Sequence, residues 1–445
     1  MVSKFFGTDG VRGAVGGCKM NPEIVLKLGW AIAQYLKETN DKPSVVIGKD
    51  TRISGYIFES ALESGLAYGG AKVHLLGVLP TPGVAYLTQA LRASMGIVIS
   101  ASHNAFRDNG IKLFMQDGMK LSDQAHQTIE DYLHQPMHVN SKDYFGKVVR
   151  VEGAHERYIE KCKSIMPFDK NLSSLKIILD CANGAAYRVA PSVFKELGAE
   201  MIVIHDQPNG ININHHCGAT SLKSIQARVI SEQADVGFAL DGDGDRLMVV
   251  DGDGIIWDGD DVLYALSEIL PTDQGVVGTI MTNYGLEHYF NQQGRPFERT
   301  AVGDRHIQQR LHTKKWCLGG EPSGHTIHVQ HTCTGDGIVT ALLLCLKALQ
   351  HQQRFSDMRF RGKVPQLHGN IPLNKSSVCE DKLNAITHHY HNDLSGKGRI
   401  ILRKSGTEPL IRCSVEHVDY QQAQTLMQSL KKRVHNLIEQ DYEPS

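Results

Sequence analysis

No stretch of the chain is long and apolar enough to cross a bilayer. The longest apolar run, around residues 341–346, falls far short of the roughly 20 residues that a spanning helix needs. Residues 1–10 contain one lysine and two phenylalanines but no apolar segment of the kind a secretory signal carries. A cytoplasmic protein without membrane partners is therefore expected. Neither sign of charge prevails: 47 Lys and Arg face 48 Asp and Glu, for a net charge of −1. A whole-chain footprint for nucleic acid or an anionic membrane is thereby excluded, and any anion site must be local. The nine cysteines are odd in number, irregularly spaced and never in a C-x-x-C pair. That pattern argues against a disulfide framework and a structural zinc, and reduced, mostly buried thiols are expected. Walker loops and G-x-G-x-x-G fingerprints are absent too, so nucleotide cofactors are not supported.

At 445 residues the chain is long enough for about three compact units, more where some are small. Hydrophobic residues make up 41% and charged residues 21%, ordinary globular values that permit sizeable cores. Glycine stands out at 43 residues, which predicts many tight loops. β-Branched runs alternate with helical periodicity. Residues 45–47 are followed by Ile57, Phe58, Ala61, Leu62 and Gly65 along one helical face, then by residues 73–76. Asn21 before Pro22 reads as an N-cap with proline at the first helical position, opening a helix through Ile24, Leu28 and Ile32. The sequence predicts an α/β layer fold.

The pattern then recurs. Residues 175–179 lead through a helical stretch into LGAEMIVIHD (197–206), in the order of VVIGKD (45–50), helix and GGAKVHLLG (69–77). ASMGIVISAS (93–102) lines up with ADVGFALDGD (234–243), and in that register Ser102 falls on Asp243. A weaker third unit runs from VVGTIMTN (276–283) through FERTAVG (297–303) to GGEPSGH (319–325). Three related units would each send one polar loop from a strand end toward a common place. In the tail, strand-like residues 399–403 and 410–415 flank a loop, and Ala423, Met427, Leu430, Val434 and Leu437 mark an amphipathic closing helix of a smaller α+β unit. Domains are predicted at 1–152, 153–255, 256–365 and 366–445.

Among the loops, LDGDGDR (240–246) carries the strongest chemistry. Asp241, Asp243 and Asp245, separated by glycines, can converge on one hard cation, and three acids without His or Cys favour Mg²⁺, Mn²⁺ or Ca²⁺ over zinc. An EF-hand fails because Arg246 stands at its required glycine and Gly252 at its required glutamate. DGDG at 251–254 reads as a plain acidic turn. Ser102 ends an apolar strand without a G-x-S-x-G elbow, so a hydrolase triad is unsupported. A serine beside a divalent ion suits phosphate rather than acyl transfer, whereas alone it would be a turn serine. In GGEPSGH, Glu321, Ser323 and His325 are expected to alternate on one side of an extended loop and to suit a polyol. RKSGTEP (403–409) combines Arg403, Ser405, Gly406 and Thr407, with Arg412 nearby, as a phosphate clamp or an ordinary turn. His388, His389 and His391, and the pair His215 and His216, lack ligand partners at metal spacing.

FGTDGVRG (6–13), SASHN with NGIK, DGDGDR, VGDR (302–305), GEPSGH, TGDG (334–337) and RKSGTEP occur in one order over nearly the whole chain, and in this the sequence resembles the phosphohexomutase family. The resemblance implies three related α/β domains with mixed sheets around a central cleft, plus a smaller C-terminal α+β domain. It implies an intramolecular phosphotransferase of the isomerase class, in which phosphorylated Ser102 donates to glucosamine 6-phosphate, forms a bound glucosamine 1,6-bisphosphate that also serves as activator, and yields glucosamine 1-phosphate for UDP-N-acetylglucosamine and cell-wall precursors. Mg²⁺ would sit on Asp241, Asp243, Asp245 and Ser102. Arg12 and Arg246 match supporting cations, Lys112 and His325 match positions implicated in proton transfer, Glu321, Ser323 and Asp304 match substrate contacts, and Arg403, Ser405, Gly406, Thr407 and Arg412 match the clamp on the distal phosphate. The partner is a hexosamine phosphate rather than nucleic acid or membrane, and a homodimer is among the assemblies the resemblance allows.

Two departures from the family pattern bear on this. Ala105 stands where SASHNP is usual, removing a fixed φ beside the serine loop, and Pro322 replaces a glutamine common in the glucosamine members. A phosphoglucomutase or phosphomannomutase is thus the near alternative. A metal-dependent phosphatase with an aspartate nucleophile is a more distant one, because after Asp243 and Gly244 that motif wants Thr or Val, and Asp245 stands there instead. A non-catalytic sugar-phosphate binder is a third, opposed by the presence of Ser102, the three aspartates, Lys112 and His325.

Overall fold

The computed structural model describes residues 5–7, 9–139, 144–373, 379–394, 396–404 and 410–440. The first block comprises β1 (Val11–Ala14), α1 (Pro22–Lys37), β2 (Ser44–Lys49), α2 (Ser54–Tyr68), β3 (Lys72–Val78), α3 (Thr81–Ala90), β4 (Met95–Ile99), β5 (Asp108–Met115), α4 (Asp123–Leu133) and β6 (Val148–Arg150). Its six strands form one mixed sheet in the order β1-β5-β4-β2-β3-β6. β2 runs parallel to β3 and β4, whereas β5 returns antiparallel beside β4. Helix α1 starts as expected: the Asn21 side chain accepts the Ile24 N–H at 3.0 Å and Pro22 fills the first turn. On α2 the buried stripe is Phe58, Ala61, Leu62 and Gly65, but Ile57 is 55% exposed. One helical residue is a rotation of about 100°, enough to carry Ile57 off a stripe centred on Phe58. α1 and α2 cross closely because Gly29 and Gly65 face each other, and a Cβ on Gly65 would strike the Leu26 carbonyl.

The second block repeats the first. α5 (Ala154–Lys163), β7 (Lys176–Asp180), α6 (Val189–Glu196), β8 (Glu200–Ile204), α7 (Lys223–Glu232), β9 (Val236–Leu240), β10 (Leu247–Asp251) and β11 (Ile256–Trp257) give a sheet in the order β11-β10-β9-β7-β8. β7 is parallel to β8 and β9, and β10 turns back antiparallel beside β9, as β5 does beside β4. The turn at 251–254 is structural: Asp251 accepts the N–H groups of Asp253 and Ile255 and the Trp257 indole. The third block contains α8 (Gly259–Ser267), β12 (Val276–Thr279), α9 (Tyr284–Gln292), β13 (Phe297–Thr300), α10 (Asp304–Lys314), β14 (Leu318–Gly320), β15 (Thr326–His328), α11 (Gly337–His351) and α12 (Phe355–Met358). Again a parallel pair, β12 with β14, precedes an antiparallel return, β15. Each block therefore ends a central strand in a polar loop: residues 100–107 after β4, 241–246 after β9 and 321–325 after β14.

Two compact units emerge, Met1–Thr279 with Thr300–Arg359, and Ile280–Arg299 with Phe360–Ser445. The second holds β16 (Gln366–Pro372), α13 (Glu380–Leu394), β17 (Gly398–Lys404), β18 (Leu410–His417) and α14 (Tyr420–Gln440). Its sheet, β16-β18-β17, is antiparallel. One apolar core joins sheet and helices, including Leu383, Ile400, Ile411, Val415, Ala423, Leu430 and Val434. Leu437 only packs against its edge, and Ile438 takes the buried place. Helix α9, which the sequence pattern assigns to the third repeat, packs with this unit. Buried Glu416 accepts the Tyr284 N–H at 3.1 Å and pairs with Arg399, whose guanidinium also reaches the Thr282 carbonyl at 3.0 Å. Among the described residues no helix is long and apolar enough to cross a membrane.

Candidate active site

The serine loop and the acidic loop meet within the first unit. β4 and β9 are wholly buried, so the first polar residues after each emerge at a strand end. Ser102, 1% exposed, donates its hydroxyl to Asp241 Oδ2 at 2.6 Å. It adopts φ +52°, a left-handed conformation that a non-glycine residue holds only when its surroundings demand it. The closeness of the loops requires glycine at 242, since a Cβ there would lie 2.6 Å from the Ser102 carbonyl oxygen.

Asp241, Asp243 and Asp245 each present a carboxylate oxygen within 4.8 Å of the other two, and all three are buried. Lys112, brought back by β5, lies among them. Its ammonium donates to Asp243 at 2.7 Å and to Asp245 at 2.9 Å, and stands 3.4 Å from Asp9. Thr81, at the start of α3, donates to Asp243 at 2.5 Å. One ammonium cannot neutralise three carboxylates. Burial, then repulsion from Asp245 and Asp243, pushes the Asp241 pKa well above the carboxylate range. Burial acts in the same direction on Asp245, yet Lys112 and then His325 hold it well below. Burial disfavours charge on Lys112, but Asp243, Asp245 and Asp9 outweigh it and raise its pKa well above that of a free lysine. Two further oxygens, Asp243 Oδ1 and Asp245 Oδ1, are buried without a hydrogen-bond partner. An all-oxygen set with excess negative charge and unsatisfied acceptors fits a hard divalent cation.

The 321–325 loop arrives from the third block. Rather than extending, it forms a tight turn: Gly324 N–H donates to the Glu321 carbonyl at 3.0 Å, and Ser323 donates to Glu321 Oε2 at 3.1 Å. The expected alternation of Glu321, Ser323 and His325 along one side is thereby corrected, because glycine lets the chain fold back and the two polar side chains bond to each other. The loop locks to the acidic loop through the bridge of Arg246 with His325 and the Leu247 N–H to Gly324 carbonyl bond of 3.0 Å. His325, 3% exposed, lies 3.8 Å from Asp245 and 3.9 Å from Asp304. Burial lowers its pKa, but Asp245, Asp304 and Glu321 leave it raised overall. Arg12 sits on β1 opposite Gly110 and pairs with Asp9 at 3.5 Å. Burial, with Arg246 and Arg12, pushes His103 down to about 4.

Ser102, Lys112, Asp241, Asp243, Asp245, Arg246, Asp304, Glu321, Ser323, His325 and Arg12 thus lie in one unit, joined by a continuous chain of contacts. Arg403 and Arg412 face each other across β17 and β18 in the second unit, where they line a cavity of about 400 Å³ with His368, Asn370 and Ser414. Ser405, Gly406 and Thr407 fall outside the described residues. A second cluster, Asp180, His205 and Cys217, has metal-like composition. Both Asp180 oxygens, however, accept backbone N–H groups, of Ala182 and Gly218 at 2.9 Å each, and burial pushes the Cys217 thiol up to about 12, so a thiolate is withheld. Sequence reasoning missed Thr81, Lys120, Asp50, Arg52 and Asn214. Asp9 lay inside the quoted FGTDGVRG motif without being singled out, and the charged DTR at the end of β2 was the available signal for Asp50 and Arg52.

Four family models match in succession. They are phosphoglucomutase/phosphomannomutase alpha/beta/alpha domain I over residues 3–139, domain II over 156–254, domain III over 258–361, and the C-terminal domain over 380–433. A phosphoglucosamine mutase of Marinomonas sp. strain MWYL1 is 49% identical over 443 residues, covering 98% of each chain. Among solved structures, a phosphoglucomutase/phosphomannomutase family protein of Burkholderia thailandensis superposes with a TM-score of 0.79 at 22% identity, covering 98% of each chain. The Aspergillus fumigatus N-acetylphosphoglucosamine mutase, solved with GlcNAc-6P and magnesium, gives 0.66 at 15% identity, covering 98% of this chain and 96% of that one.

Proposed function

The chain belongs to the phosphoglucomutase/phosphomannomutase family, and from that premise we propose that it is an isomerase interconverting glucosamine 6-phosphate and glucosamine 1-phosphate. The observation that carries the reading is the Ser102 hydroxyl bonded at 2.6 Å to an aspartate of a buried three-carboxylate cluster with two unsatisfied oxygens. A phosphate carrier needs a nucleophilic oxygen beside concentrated, compensable charge, and this site has both.

In this reading phosphorylated Ser102 delivers its phosphoryl group to the C1 hydroxyl of glucosamine 6-phosphate. The Ser102 O–P bond breaks as the sugar O–P bond forms, and the hydroxyl proton leaves to a site base. The resulting 1,6-bisphosphate turns over, and Ser102 takes the phosphoryl group from C6, leaving glucosamine 1-phosphate. Asp241, Asp243 and Asp245, with an oxygen of the phosphorylated serine, are the residues to hold Mg²⁺, which supplies compensation for the charge spread over the transferring oxygens. Lys112 and His325, both facing Asp245, carry the protons of the reacting hydroxyls. Arg12 and Arg246 add positive charge near the serine. Glu321 and Ser323 offer an acceptor and a donor to sugar hydroxyls, with Asp304 backing His325. Arg403 and Arg412, with Ser405, Gly406 and Thr407, bind the phosphate that is not transferring.

We read the chain as domains 1–152, 153–255, 256–365 and 366–445, acting in the cytoplasm on a hexosamine phosphate and supplying UDP-N-acetylglucosamine and cell-wall precursors, with a homodimer as the proposed assembly. Pro322 favours a second reading, because its side chain has no amide with which to single out an amino substituent, unlike the glutamine it replaces: glucose or mannose phosphates would then be the substrates. A coupled assay with Mg²⁺ and a trace of the matching 1,6-bisphosphate, run on all three sugars, tests both. Preferred turnover of glucosamine phosphate supports the first reading, preferred turnover of glucose or mannose phosphate the second, and turnover of none defeats both. Peptide mapping should place the covalent phosphate on Ser102, whereas stoichiometric release of inorganic phosphate and an acyl phosphate on an aspartate would mean a phosphatase.

A further inference from the structure

Residues 102–107 form neither helix nor strand before β5 begins at Asp108, yet carbonyls of this loop and of Asp108 converge on one buried side chain. Arg52, fully buried three residues past the end of β2, donates through Nη2 to the carbonyls of Ser102 at 3.0 Å and Asn104 at 2.8 Å. Through Nη1 it donates to the carbonyls of Ala105 and, at 3.1 Å, Asp108. Its Nε donates to Asp50 Oδ2 at 2.8 Å. A guanidinium has five N–H groups, and these bonds use all of them, so none is left for a substrate phosphate. Asp50 does more than balance charge: the same oxygen accepts the Ser100 hydroxyl at 2.6 Å, and the Ser100 oxygen in turn accepts the Ser102 N–H at 2.9 Å. The Ser102 peptide is thus held at both its N–H and its carbonyl. From the second block Asn214 adds a further N–H to the carbonyls of Ser102 at 2.8 Å and Asn104 at 3.0 Å.

We propose that Arg52, supported by Asp50, is the positioning residue of the phosphate-carrying serine, replacing with hydrogen bonds the rigidity that a proline at 105 would supply and holding the left-handed turn at Ser102 that aims Oγ at Asp241. The inference rests on the reading of Ser102 as the phosphate carrier. Without the clamp, φ at Ser102 relaxes to negative values, because only its neighbours enforce the positive one. The hydroxyl then swings away from the acidic loop. Lysine does not substitute: it brings three donors on a point charge and cannot span four carbonyls in a plane.

The test uses the full-length protein with Arg52→Lys, Arg52→Ala and Asn214→Ala. Backbone hydrogen exchange over residues 100–108, measured without substrate, should rise by roughly tenfold in both Arg52 variants, with β2 and β4 unchanged. In the mutase assay kcat should fall about 100-fold, as expected for a reacting group displaced by about an ångström, while KM for the sugar phosphate stays within about threefold. Millimolar guanidinium should restore part of the Arg52→Ala rate, and ammonium should not. Loop exchange and kcat within about twofold of wild type in Arg52→Lys would overturn the proposal. If neither Arg52 variant folds, Asn214→Ala decides, since it removes two bonds to the same two carbonyls from the rim: faster exchange with lower kcat supports the clamp, and no change in either overturns it. Wild-type protein inactive on every hexose phosphate would sink the mutase reading alone, because the exchange measurement needs no turnover.

Discussion

Replacing Lys112 with methionine keeps most of the side-chain volume and removes only the ammonium. That ammonium, 1% exposed, is the one lysine charge within hydrogen-bonding distance of both Asp243 and Asp245 among the described residues. Stripping one partner from a buried ion cluster costs about 3–5 kcal/mol, because the remaining charges keep their desolvation penalty without the attraction. For a unit of roughly 340 residues, at about 2.1 cal/mol/K of unfolding entropy per residue, this corresponds to a melting transition lower by about 4–7 °C in EDTA. A divalent ion would meet uncompensated carboxylates in the variant but a partly neutralised site in the wild type. Millimolar Mg²⁺ should therefore raise the melting temperature more in Lys112→Met than in the wild type and recover much of the deficit. The pH dependence has a definite sign. Asp241 already has a raised pKa in the folded state from burial and its acidic neighbours, so the folded form binds more protons than the unfolded one and stability falls as pH rises. Losing Lys112 extends this to the other carboxylates, and the deficit in EDTA should widen as pH rises. Differential scanning fluorimetry across pH, with and without Mg²⁺, measures all of this. Equal melting temperatures in EDTA together with equal Mg²⁺ shifts would refute the electrostatic account of the site.

Gly242→Ala puts a methyl 2.6 Å from the Ser102 carbonyl, so the serine and acidic loops must part. A loss of about 1–3 kcal/mol in stability and about 100-fold in kcat is expected from denaturation and steady-state kinetics. Asp243→Asn removes a charge and one of the unsatisfied buried oxygens, and should weaken Mg²⁺ binding at least tenfold by calorimetry while leaving the melting temperature in EDTA unchanged or higher. Asp336 caps α11 and accepts the Tyr158 hydroxyl at 2.8 Å, and burial raises its pKa from 3.8 to about 6. Its folded form therefore keeps a proton that the unfolded form loses, and stability should fall by order 1–3 kcal/mol as pH climbs from about 4 to about 6. Asp336→Asn should flatten that slope in pH-dependent urea titrations.

The two loops that meet at Ser102 and Asp241 were legible because each announces itself locally. An apolar strand pattern ending in SAS or in DGD needs no knowledge of the rest of the chain, and the matched register of residues 93–102 with 234–243 foretold that β4 and β9 occupy equivalent places in equivalent sheets. The clamp behind Ser102 was not legible. Arg52 and Asn214 look like ordinary polar residues at a strand end and in a loop, and they lie 50 and 112 residues from the carbonyls they hold. The 321–325 loop was misjudged for the opposite reason: alternating polar residues suggest an extended strand, but Gly324 permits a reversal in which Glu321 and Ser323 bond to each other. Ile57 left its expected face because spacing along a helix defines a stripe but not where the neighbouring sheet places its centre.

What the amino-acid order settled by itself is the inventory: helices and strands set by burial periodicity, and a serine and three aspartates at strand ends. What only the tertiary structure decided is the company those groups keep. Lys112 becomes the counter-ion of Asp243 and Asp245 because β5 returns beside β4 while the second sheet docks its own central loop against the first. α9 leaves its repeat to cover Glu416 because a buried carboxylate needs both Arg399 and a backbone donor. Periodicity is a property of neighbours along the chain and survives in the sequence, whereas charge compensation and hydrogen-bond satisfaction are properties of neighbours in space, fixed only when strand order and loop crossing are complete.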